Sequence, residues 1–425
     1  MNRPSFDSIC IKDYIPQEIA LKNNIPVYYF KNGDMDVVFM KLVFFNAGTV
    51  FQDKFFVASL TKTQLAQDTS DYSALTLADA MDYYGVNFSQ TTTNERTILN
   101  FSFLKQYQEE VMQLIRQIIL YPMFNQDKLD ITINNSKQDF LAKSRQTSFL
   151  AHREFMSSLF GKDHPYGKYA SFSDYDKVKR EDLRSFYEKR YTFNQCYIIL
   201  AGNIDEKFIN TLNNTLGESN WNEKTADTSS KSVIVNTDYE YKKVITPLDT
   251  AVQASICMGK MFPSIHEKDY IPLTVLNCLF GGYFNSRLMS NIREDKGFTY
   301  GIDSFIAPYR YGSVFMIVSD VTADKDDATL EEIYKEIGRL QTEKVSDEEL
   351  STVKHYMMGE MLRSNDCVSE IADTYDMFIR FNLPQNYNSC SMQTVKNITP
   401  EDIMNLANKY FCRDSFVISI SKNTK

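Results

Sequence analysis

The sequence predicts an α+β fold made of two tandem homologous domains, each a mostly antiparallel sheet covered by helices. Three observations predict it. The chain has 425 residues, which suits two cores of about 200 residues better than one. Similar residue patterns recur about 220 positions apart, and a polar stretch without periodicity, residues 222–232, separates the two copies. We therefore predict an N-terminal domain at residues 1–223 and a C-terminal domain at residues 233–425.

The clearest repeat pairs residues 178–203 with residues 398–420. Each copy predicts a helix with Glu-Asp near its start, followed by an apolar strand. Glu181 and Glu401 lie 220 positions apart, and Thr399 before Pro400 predicts a helix N-cap with proline in the first helical position. Residues 109–129 match residues 331–350 at nearly the same offset. The alternative is that two unrelated α+β domains share common helix-cap patterns by chance.

The other elements follow one plan in both halves. Each half opens with an apolar run that predicts a strand, and amphipathic helical patterns follow. The predicted strands are residues 37–45 and 251–258, and the predicted helices are 76–84, 108–119, 330–340 and 348–363.

Composition excludes several classes of function. The net charge of −9 argues against nucleic acid and anionic membrane surfaces as partners. No apolar run approaches the 18 residues that a membrane span needs. Seven scattered cysteines without a C-x-x-C motif indicate free thiols in a reducing compartment rather than a disulfide framework. We expect a cytoplasmic protein, or a periplasmic one if a leader has been removed.

Local motifs for metal or nucleotide binding are weak. The only four histidines, with no two of them within five residues of each other, are His152, His164, His266 and His355. This spacing rules out a short-range His–His metal motif. Gly281-Gly282 lacks the flanking pattern of a phosphate loop. We expect His164 to close a turn and Cys278 to be a thiol in the core.

Several longer motifs occur in a characteristic order along the chain. They are NAGT (46–49), YYGV (83–86), PMF (122–124), HPYG (164–167), the block 180–203, FGGYFNSRL (280–288) and IREDKGFTY (292–300). Together they resemble the insulinase/pitrilysin family of zinc peptidases, and in particular its short two-domain bacterial branch related to mitochondrial processing peptidase. The resemblance covers nearly the whole chain. It implies a LuxS/processing-peptidase-like fold and descent from metalloendopeptidases.

The zinc signature of that family is missing. Active members carry H-x-x-E-H in the first long helix, in which two His bind zinc and the Glu activates the metal-bound water. The best placement puts Ala58 and Lys62 at the His positions and Thr61 at the Glu position. A more distal Glu ligand falls at or beside Gln138. Because no histidine precedes His152 in any register, we predict that this chain binds no zinc and does not catalyse hydrolysis by the family mechanism.

A second part of the family's active site is retained. The resemblance assigns an Arg and a Tyr, spaced R-x6-Y, to contact with the substrate, and Arg293 and Tyr300 have this spacing. A guanidinium and a phenol can hold a peptide carbonyl and stabilise an oxyanion. The alternative is structural: an ion pair between Arg293 and Glu294 or Asp295, with Tyr300 at a strand edge.

The resemblance implies a non-catalytic, substrate-binding subunit. Its expected partners are a homologous peptidase subunit that carries the zinc, with which it forms a heterodimer, and a peptide substrate. The sheet edge near residues 44–49 is expected to bind peptide by strand addition. Two alternatives stay open: a scaffold without a role in proteolysis, and an active peptidase that uses unrecognised chemistry.

Overall fold

A computed structural model describes residues 10–223 and 242–425, apart from residues 12, 14, 34–35, 311 and 365–366. The predicted linker, residues 222–232, lies outside the described residues from position 224 onward. The domain limits at 223 and 233 therefore stay predictions.

The first half of the chain forms one sheet and its helices. The strands are β1 (Gln17–Ala20), β2 (Pro26–Lys31), β3 (Val37–Phe44), β4 (Asn87–Thr92), β5 (Thr97–Leu104) and β6 (Cys196–Gly202). The helices are α1 (Val57–Leu65), α2 (Ala74–Tyr83), α3 (Gln108–Leu120), α4 (Gln126–Lys143), α5 (Thr147–Phe160), α6 (Arg180–Arg190) and α7 (Glu206–Leu212). The strand order is β1-β2-β6-β3-β5-β4, in which only the β2–β6 pair is parallel.

The second half forms a second sheet. Its strands are β7 (Lys242–Pro247), β8 (Gln253–Phe262), β9 (Thr299–Tyr309), β10 (Gly312–Thr322) and β11 (Val417–Lys422). Its helices are α8 (Tyr270–Phe280), α9 (Asp326–Thr342), α10 (Asp347–Arg363), α11 (Val368–Phe381), α12 (Tyr387–Asn397) and α13 (Pro400–Tyr410). The order β7-β11-β8-β10-β9 has one parallel pair, β7–β11.

Apart from β1, which extends the first sheet at one edge, the two sheets have the same topology. The order β7-β11-β8-β10-β9 repeats β2-β6-β3-β5-β4, and the parallel pair occupies the same place in both sheets. The predicted α+β fold of two tandem, mostly antiparallel copies is confirmed. Both repeated helix–strand units form, as α6 with β6 and as α13 with β11. Thr399 caps α13 as predicted, because its side chain accepts a hydrogen bond from the Asp402 amide.

Burial patterns explain the layers. Residues 38–44 of β3 are all buried, as expected for a central strand with both faces covered. Its neighbour β5 alternates between buried and half-buried residues, and β4 alternates between half-buried and exposed residues, because β4 lies at the edge.

One expectation about the sheet edge is wrong. Phe44 ends a central strand, where it pairs with Thr97 on β5 and with Cys196 on β6. Beyond the strand, the Thr49 amide bonds to the Thr93 carbonyl at 3.0 Å. Residues 44–49 therefore offer no open edge. On this side of the sheet the open edge belongs to β4 instead.

The two halves exchange a helix. Helix α5, from the first half, packs on β8 and β11 of the second sheet, whereas α11, from the second half, packs on β6 and β3 of the first. The two helices start 221 positions apart and both have 14 residues. Phe155 of α5 and Ala372 of α11 are fully buried at these contacts. Each sheet is thus covered on one face by a helix from the opposite half.

The α11 contact contains charged groups inside the protein. Asp376 accepts hydrogen bonds from Arg96 at 2.6 Å and from the Tyr197 hydroxyl at 2.5 Å. Lys41, in the middle of β3, lies 4.0 Å from the same carboxylate and also pairs with Asp373. We call Lys41, Arg96, Tyr197 and Asp376 the buried clamp.

Within the parts of the chain that the structure describes, no helix is long and apolar enough to cross a membrane.

Candidate functional site

Helix α1 contains the predicted zinc positions. It follows Phe56, whose left-handed backbone (φ 70°) turns the chain into the helix. Ala58 and Thr61 are fully buried and face the core of the first domain. Lys62 is half-buried, and burial lowers the pKa of its amine below the usual range. Gln138 lies on α4 with its side chain exposed.

The structure does not bring these four residues together around an open space. A catalytic metal needs side chains that reach solvent, whereas Ala58 and Thr61 point into the core. The open face of α1 carries Ser59, Lys62 and Thr63 instead, all half-buried. These residues have the same i, i+3, i+4 spacing as the zinc signature. The register of the sequence prediction stays a prediction, and burial favours a shift of one residue along the helix.

Neither register holds groups that suit zinc. Zinc needs imidazole, thiolate or carboxylate ligands. The open face of α1 provides two hydroxyls and one ammonium. Thr61 Oγ1 is buried and has no hydrogen-bond partner within the described ranges, and a neutral hydroxyl is no substitute for a carboxylate base. Across the described residues, no group of three or more His, Cys, Asp or Glu is placed to hold a metal.

The contact between α1 and α4 is closed by neutral hydrogen bonds. Gln64 of α1 donates to Thr132 Oγ1 at 2.8 Å and to the Lys128 carbonyl at 3.3 Å, both on α4. Amide and hydroxyl groups therefore join the two helices on which the family's metal ligands are expected.

Arg293 lies in a widened helical turn, Met289–Asp295, that precedes β9. Its guanidinium lies over the Phe284 ring, 4.7 Å from the ring centre. In the described part of the chain it forms no ion pair, so the alternative in which Glu294 or Asp295 neutralises it is not observed. Phe284 is itself 62% exposed, so this stacking leaves the guanidinium near solvent.

Tyr300 lies on β9, at the edge of the second sheet. Its side chain is 92% exposed, and its hydroxyl has no hydrogen-bond partner among the described residues. The backbone beneath it is fixed, because Thr299 Oγ1 donates to the Asp320 carbonyl at 2.6 Å and accepts from the Gly301 amide. Between Arg293 and Tyr300 the chain reverses at Gly297, whose φ of 65° suits glycine.

A line of cavities leads from Tyr300 toward α1. The first, of about 510 Å³, is lined by Tyr300, Ser255 and His152 among others. His152 also borders a second cavity of about 520 Å³, which reaches Phe56 at the start of α1. A third, of about 710 Å³, shares Phe56 and Asn94 with the second. The site therefore consists of adjoining concavities, of which the first two are lined by both halves and the third by the first half.

Other residues that the sequence singled out have structural roles. His164 closes a turn as predicted, because its Nδ1 accepts a hydrogen bond from the Tyr166 amide at 3.1 Å. Cys278 is buried in the second core, and burial raises the pKa of its thiol to about 12. A side chain at Gly281 would meet Ser304 Oγ at 2.5 Å, so that glycine is required for packing.

Comparison with known proteins agrees with this geometry. A family model described as "Insulinase (Peptidase family M16)" matches residues 52–164, and one described as "Peptidase M16 inactive domain" matches residues 177–357. The chain belongs to the insulinase (M16) peptidase family. The first match lies within the first structural copy. The second begins in the last helices and strand of the first copy and extends into the second copy, where it includes Arg293 and Tyr300.

Relatives over nearly the full length have differing names. An "uncharacterized zinc protease" of Rickettsia felis is 24% identical over 92% of this chain and 94% of that protein. A "non-peptidase homolog YmxG" of Helicobacter pylori is 24% identical over 94% of this chain and 92% of that protein. Both share the family with this chain, and the second name describes a family member without peptidase activity.

Solved structures show the same fold. A peptidase M16 inactive domain from Pseudomonas fluorescens has a TM-score of 0.84 at 20% identity, and covers 97% of this chain and 98% of its own. A protease from Helicobacter pylori has a TM-score of 0.85 at 15% identity, and covers 96% of this chain and 100% of its own. The likeness extends over both domains.

Sequence reasoning missed two features of the site. The open face of α1 could have been found from the apolar positions 57, 60 and 65, which leave Ser59, Lys62 and Thr63 on the other side. The second cavity, between His152 and Phe56, could not have been found in this way, because its walls come from six separate segments of the chain.

Proposed function

We propose that this chain is a non-catalytic, substrate-binding subunit of a heteromeric M16 peptidase. It would enclose an unfolded peptide together with a homologous subunit that carries zinc, and present Arg293 and Tyr300 to the scissile carbonyl. One contrast carries the proposal. The helix at the zinc position has no metal ligand. Of the two residues that would contact substrate, Tyr300 is exposed, and the half-buried Arg293 stacks on Phe284 without an ion pair among the described residues.

The state of Arg293 and Tyr300 supports a role in binding. A guanidinium that only packs locally normally pairs with a nearby carboxylate, and both Glu294 and Asp295 are adjacent in sequence. Arg293 pairs with neither, so its N–H groups remain available for a carbonyl oxygen. The phenol of Tyr300 offers a second donor. Two such donors can stabilise an oxyanion that forms when a partner's metal-bound water attacks.

The hydroxyls on the open face of α1 are not arranged as activated nucleophiles. Ser59 Oγ donates to the Phe56 carbonyl at 3.0 Å and Thr63 Oγ1 donates to the Ser59 carbonyl at 3.0 Å, so each hydroxyl is bonded to the backbone rather than to a base. Lys62 has a lowered pKa from burial alone, without a partner that would orient it toward substrate. If a partner subunit supplies the zinc and the base, this chain can retain Arg293 and Tyr300 and still function without the zinc ligands.

The names of the relatives support only the coarser part of this proposal. "Non-peptidase homolog" and "inactive domain" fit a non-catalytic family member. To this coarser role the proposal adds a partner subunit that carries zinc, the enclosure of a peptide and a cytoplasmic location.

The decisive experiment is co-expression with a homologue that carries the H-x-x-E-H motif. Complex formation and cleavage of a quenched fluorescent peptide are compared with those of each chain alone. We expect a stable complex whose cleavage rate exceeds that of either chain. Arg293→Ala or Tyr300→Phe should lower kcat by about 10² to 10³, the usual cost of losing an oxyanion donor.

Two variants serve as controls for these substitutions. Tyr83→Phe removes a hydroxyl from a similarly exposed tyrosine on α2. Arg116→Ala removes an arginine that, like Arg293, lies over an aromatic ring, here that of Tyr121. Both should leave cleavage unchanged. An intact complex in which Arg293→Ala has no effect would support a scaffold role. Metal-free cleavage by the pure chain would show an active peptidase with other chemistry and end the proposal.

A further inference from the structure

The second cavity in the line described above is unusually aromatic. It lies between the two halves, and we call it the aromatic cavity. Seven rings line its wall: Phe56, Phe140, Phe149, Tyr166, Tyr169, Tyr175 and Tyr309. Its volume of about 520 Å³ is enough for one large side chain and the backbone beside it. A space of this size with flat apolar walls suits an aromatic or long aliphatic group.

The charges around the aromatic cavity are mostly positive. Lys143, Arg153 and Lys168 line it, against one carboxylate, Asp139. None of these cations forms an ion pair with any described residue. By contrast, Lys137, which is on the same helix as Lys143, forms an ion pair with Asp176 at 2.6 Å. In a chain of net charge −9, three unpaired cations around one apolar space form a local exception.

Arg153 is the most constrained of the three. Its guanidinium stacks on the Tyr169 ring at 4.4 Å and lies 5.8 Å from the centre of the Phe149 ring. Its Nε is buried and lacks a hydrogen-bond partner in the part of the chain that the structure describes. Leaving a buried donor of a charged group unsatisfied is costly unless a ligand satisfies it. The aromatic contacts restrict the plane of the guanidinium, whose planar set of N–H donors matches the geometry of a carboxylate.

The walls of the aromatic cavity are preformed. Phe56 and Tyr175 stack with ring centres 3.7 Å apart. The Tyr166 hydroxyl donates to Glu95 at 2.5 Å, and its ring packs against Tyr309 from the second half. Gly167 fixes the adjoining loop, because any side chain there would meet the Gly161 carbonyl at 2.1 Å. A ligand would therefore meet a rigid site and lose little affinity to ordering it.

We propose that the aromatic cavity binds a peptide carboxylate together with the aromatic side chain beside it. Arg153 would hold the carboxylate as a fork, Lys143 and Lys168 would attract it from the rim, and the rings would take the side chain. This deepens the proposed function, on which it rests, by naming the class of peptide. The carboxylate has two sources, the C-terminus of the peptide or an acidic side chain.

The test measures binding to the purified full-length chain without any partner. Three fluorescent hexapeptides are compared: one ending in phenylalanine as the free acid, its C-terminal amide, and an amide with an internal Asp-Phe pair. We expect at least one carboxylate-bearing peptide to bind at least tenfold more tightly than the plain amide. Preference for the free acid assigns the site to peptide C-termini, and preference for the internal acid assigns it to side chains.

Variants identify the cavity. Arg153→Ala should abolish the preference for a carboxylate, and Arg153→Lys should keep only part of it because a lysine cannot form the fork. Lys168→Gln, an exposed change that does not threaten folding, should weaken binding several-fold and reduce its dependence on salt. Arg116→Ala, outside the cavity, should bind like the wild type.

The proposal is overturned if the three peptides bind equally, if none binds, or if Arg153→Ala and Lys168→Gln bind like the wild type. Its failure differs from failure of the proposed function. Carboxylate-dependent binding without any effect on a zinc partner's cleavage rate would contradict the proposed function alone. Stimulated cleavage without carboxylate preference would contradict only the present inference.

Discussion

Replacing Asp376 by asparagine should loosen the contact between α11 and the first sheet. The Asp376 carboxylate is 4% exposed and faces Arg96 at 2.6 Å, the Tyr197 hydroxyl at 2.5 Å and Lys41 at 4.0 Å. Asparagine has nearly the same shape but no charge. The change therefore leaves packing intact and removes the only anion inside the buried clamp.

The cost follows from the charges that remain. Breaking a buried ion pair by removing one partner typically costs about 3–5 kcal/mol, because the other charge stays buried. Two features reduce the cost of replacing Asp376. Lys41 keeps its contact with Asp373, which is largely exposed, and the asparagine oxygen still accepts one hydrogen bond. Burial already lowers the pKa of Lys41, and losing Asp376 would lower it further. We expect a loss of about 2–4 kcal/mol.

Urea unfolding and amide hydrogen exchange measure this loss. Local opening of α11 should become about 10² times more frequent, which corresponds to roughly 3 kcal/mol. Exchange in helix α6, which packs on α1, is the internal reference. Asp373→Asn is the matched control and should cost less than about 1 kcal/mol, because that carboxylate faces solvent. Equal effects of the two substitutions, or unchanged exchange in α11, would refute the argument.

Three further predictions concern single side chains. Lys62→Met should raise the free energy of unfolding by about 1 kcal/mol at pH 7, because it removes an unpaired, half-buried cation. Because burial lowers the pKa of Lys62, the free energy of unfolding of the wild type should increase as pH rises toward 10. Urea titrations across that pH range should therefore show a shrinking difference in stability between Lys62→Met and the wild type. A difference that stays constant with pH would contradict the prediction. Cysteine reactivity can be followed by alkylation at pH 8 and mass spectrometry. Cys367 should react fast because hydrogen bonds from Ser369 lower the pKa of its thiol, whereas Cys278 should react only after unfolding. Early labelling of Cys278 would contradict its burial. Zinc titration monitored by a chelating dye should show no site in the wild type and a measurable one after the triple change Ser59→His, Lys62→Glu and Thr63→His; a wild-type site would disprove the loss of metal binding.

Much of the fold could be predicted because short segments of the sequence determine many of its helices and strands. Helix α6 with β6 and helix α13 with β11 follow from caps and apolar runs, and their spacing reveals the duplication. Strand order is a different matter, because β3 pairs with β6 from more than 150 residues later in the chain. That distant pairing is why residues 44–49 lack the open edge expected of them.

Some features of the candidate site could likewise be predicted from the sequence, and others depend on the three-dimensional fold. The loss of zinc ligands needs only the absence of histidine before position 152, and the R-x6-Y spacing is visible in the sequence. Whether Arg293 pairs with its neighbours depends on the direction of a side chain in a widened turn, which spacing does not determine. The aromatic cavity depends on α4, α5 and β9 meeting in space, and so has no local signature.

The exchange of α5 and α11 bears on how this architecture could arise. A single copy of the domain would lack the helix that covers one face of its sheet. Two separate copies could cover these faces only if each placed its own helix on the sheet of the other. Such a trade is a swapped dimer, and joining the two copies end to end makes it intramolecular, at an effective concentration near millimolar. Cutting the chain between residues 224 and 241 should therefore give fragments that are insoluble apart and that recover the native assembly when produced together.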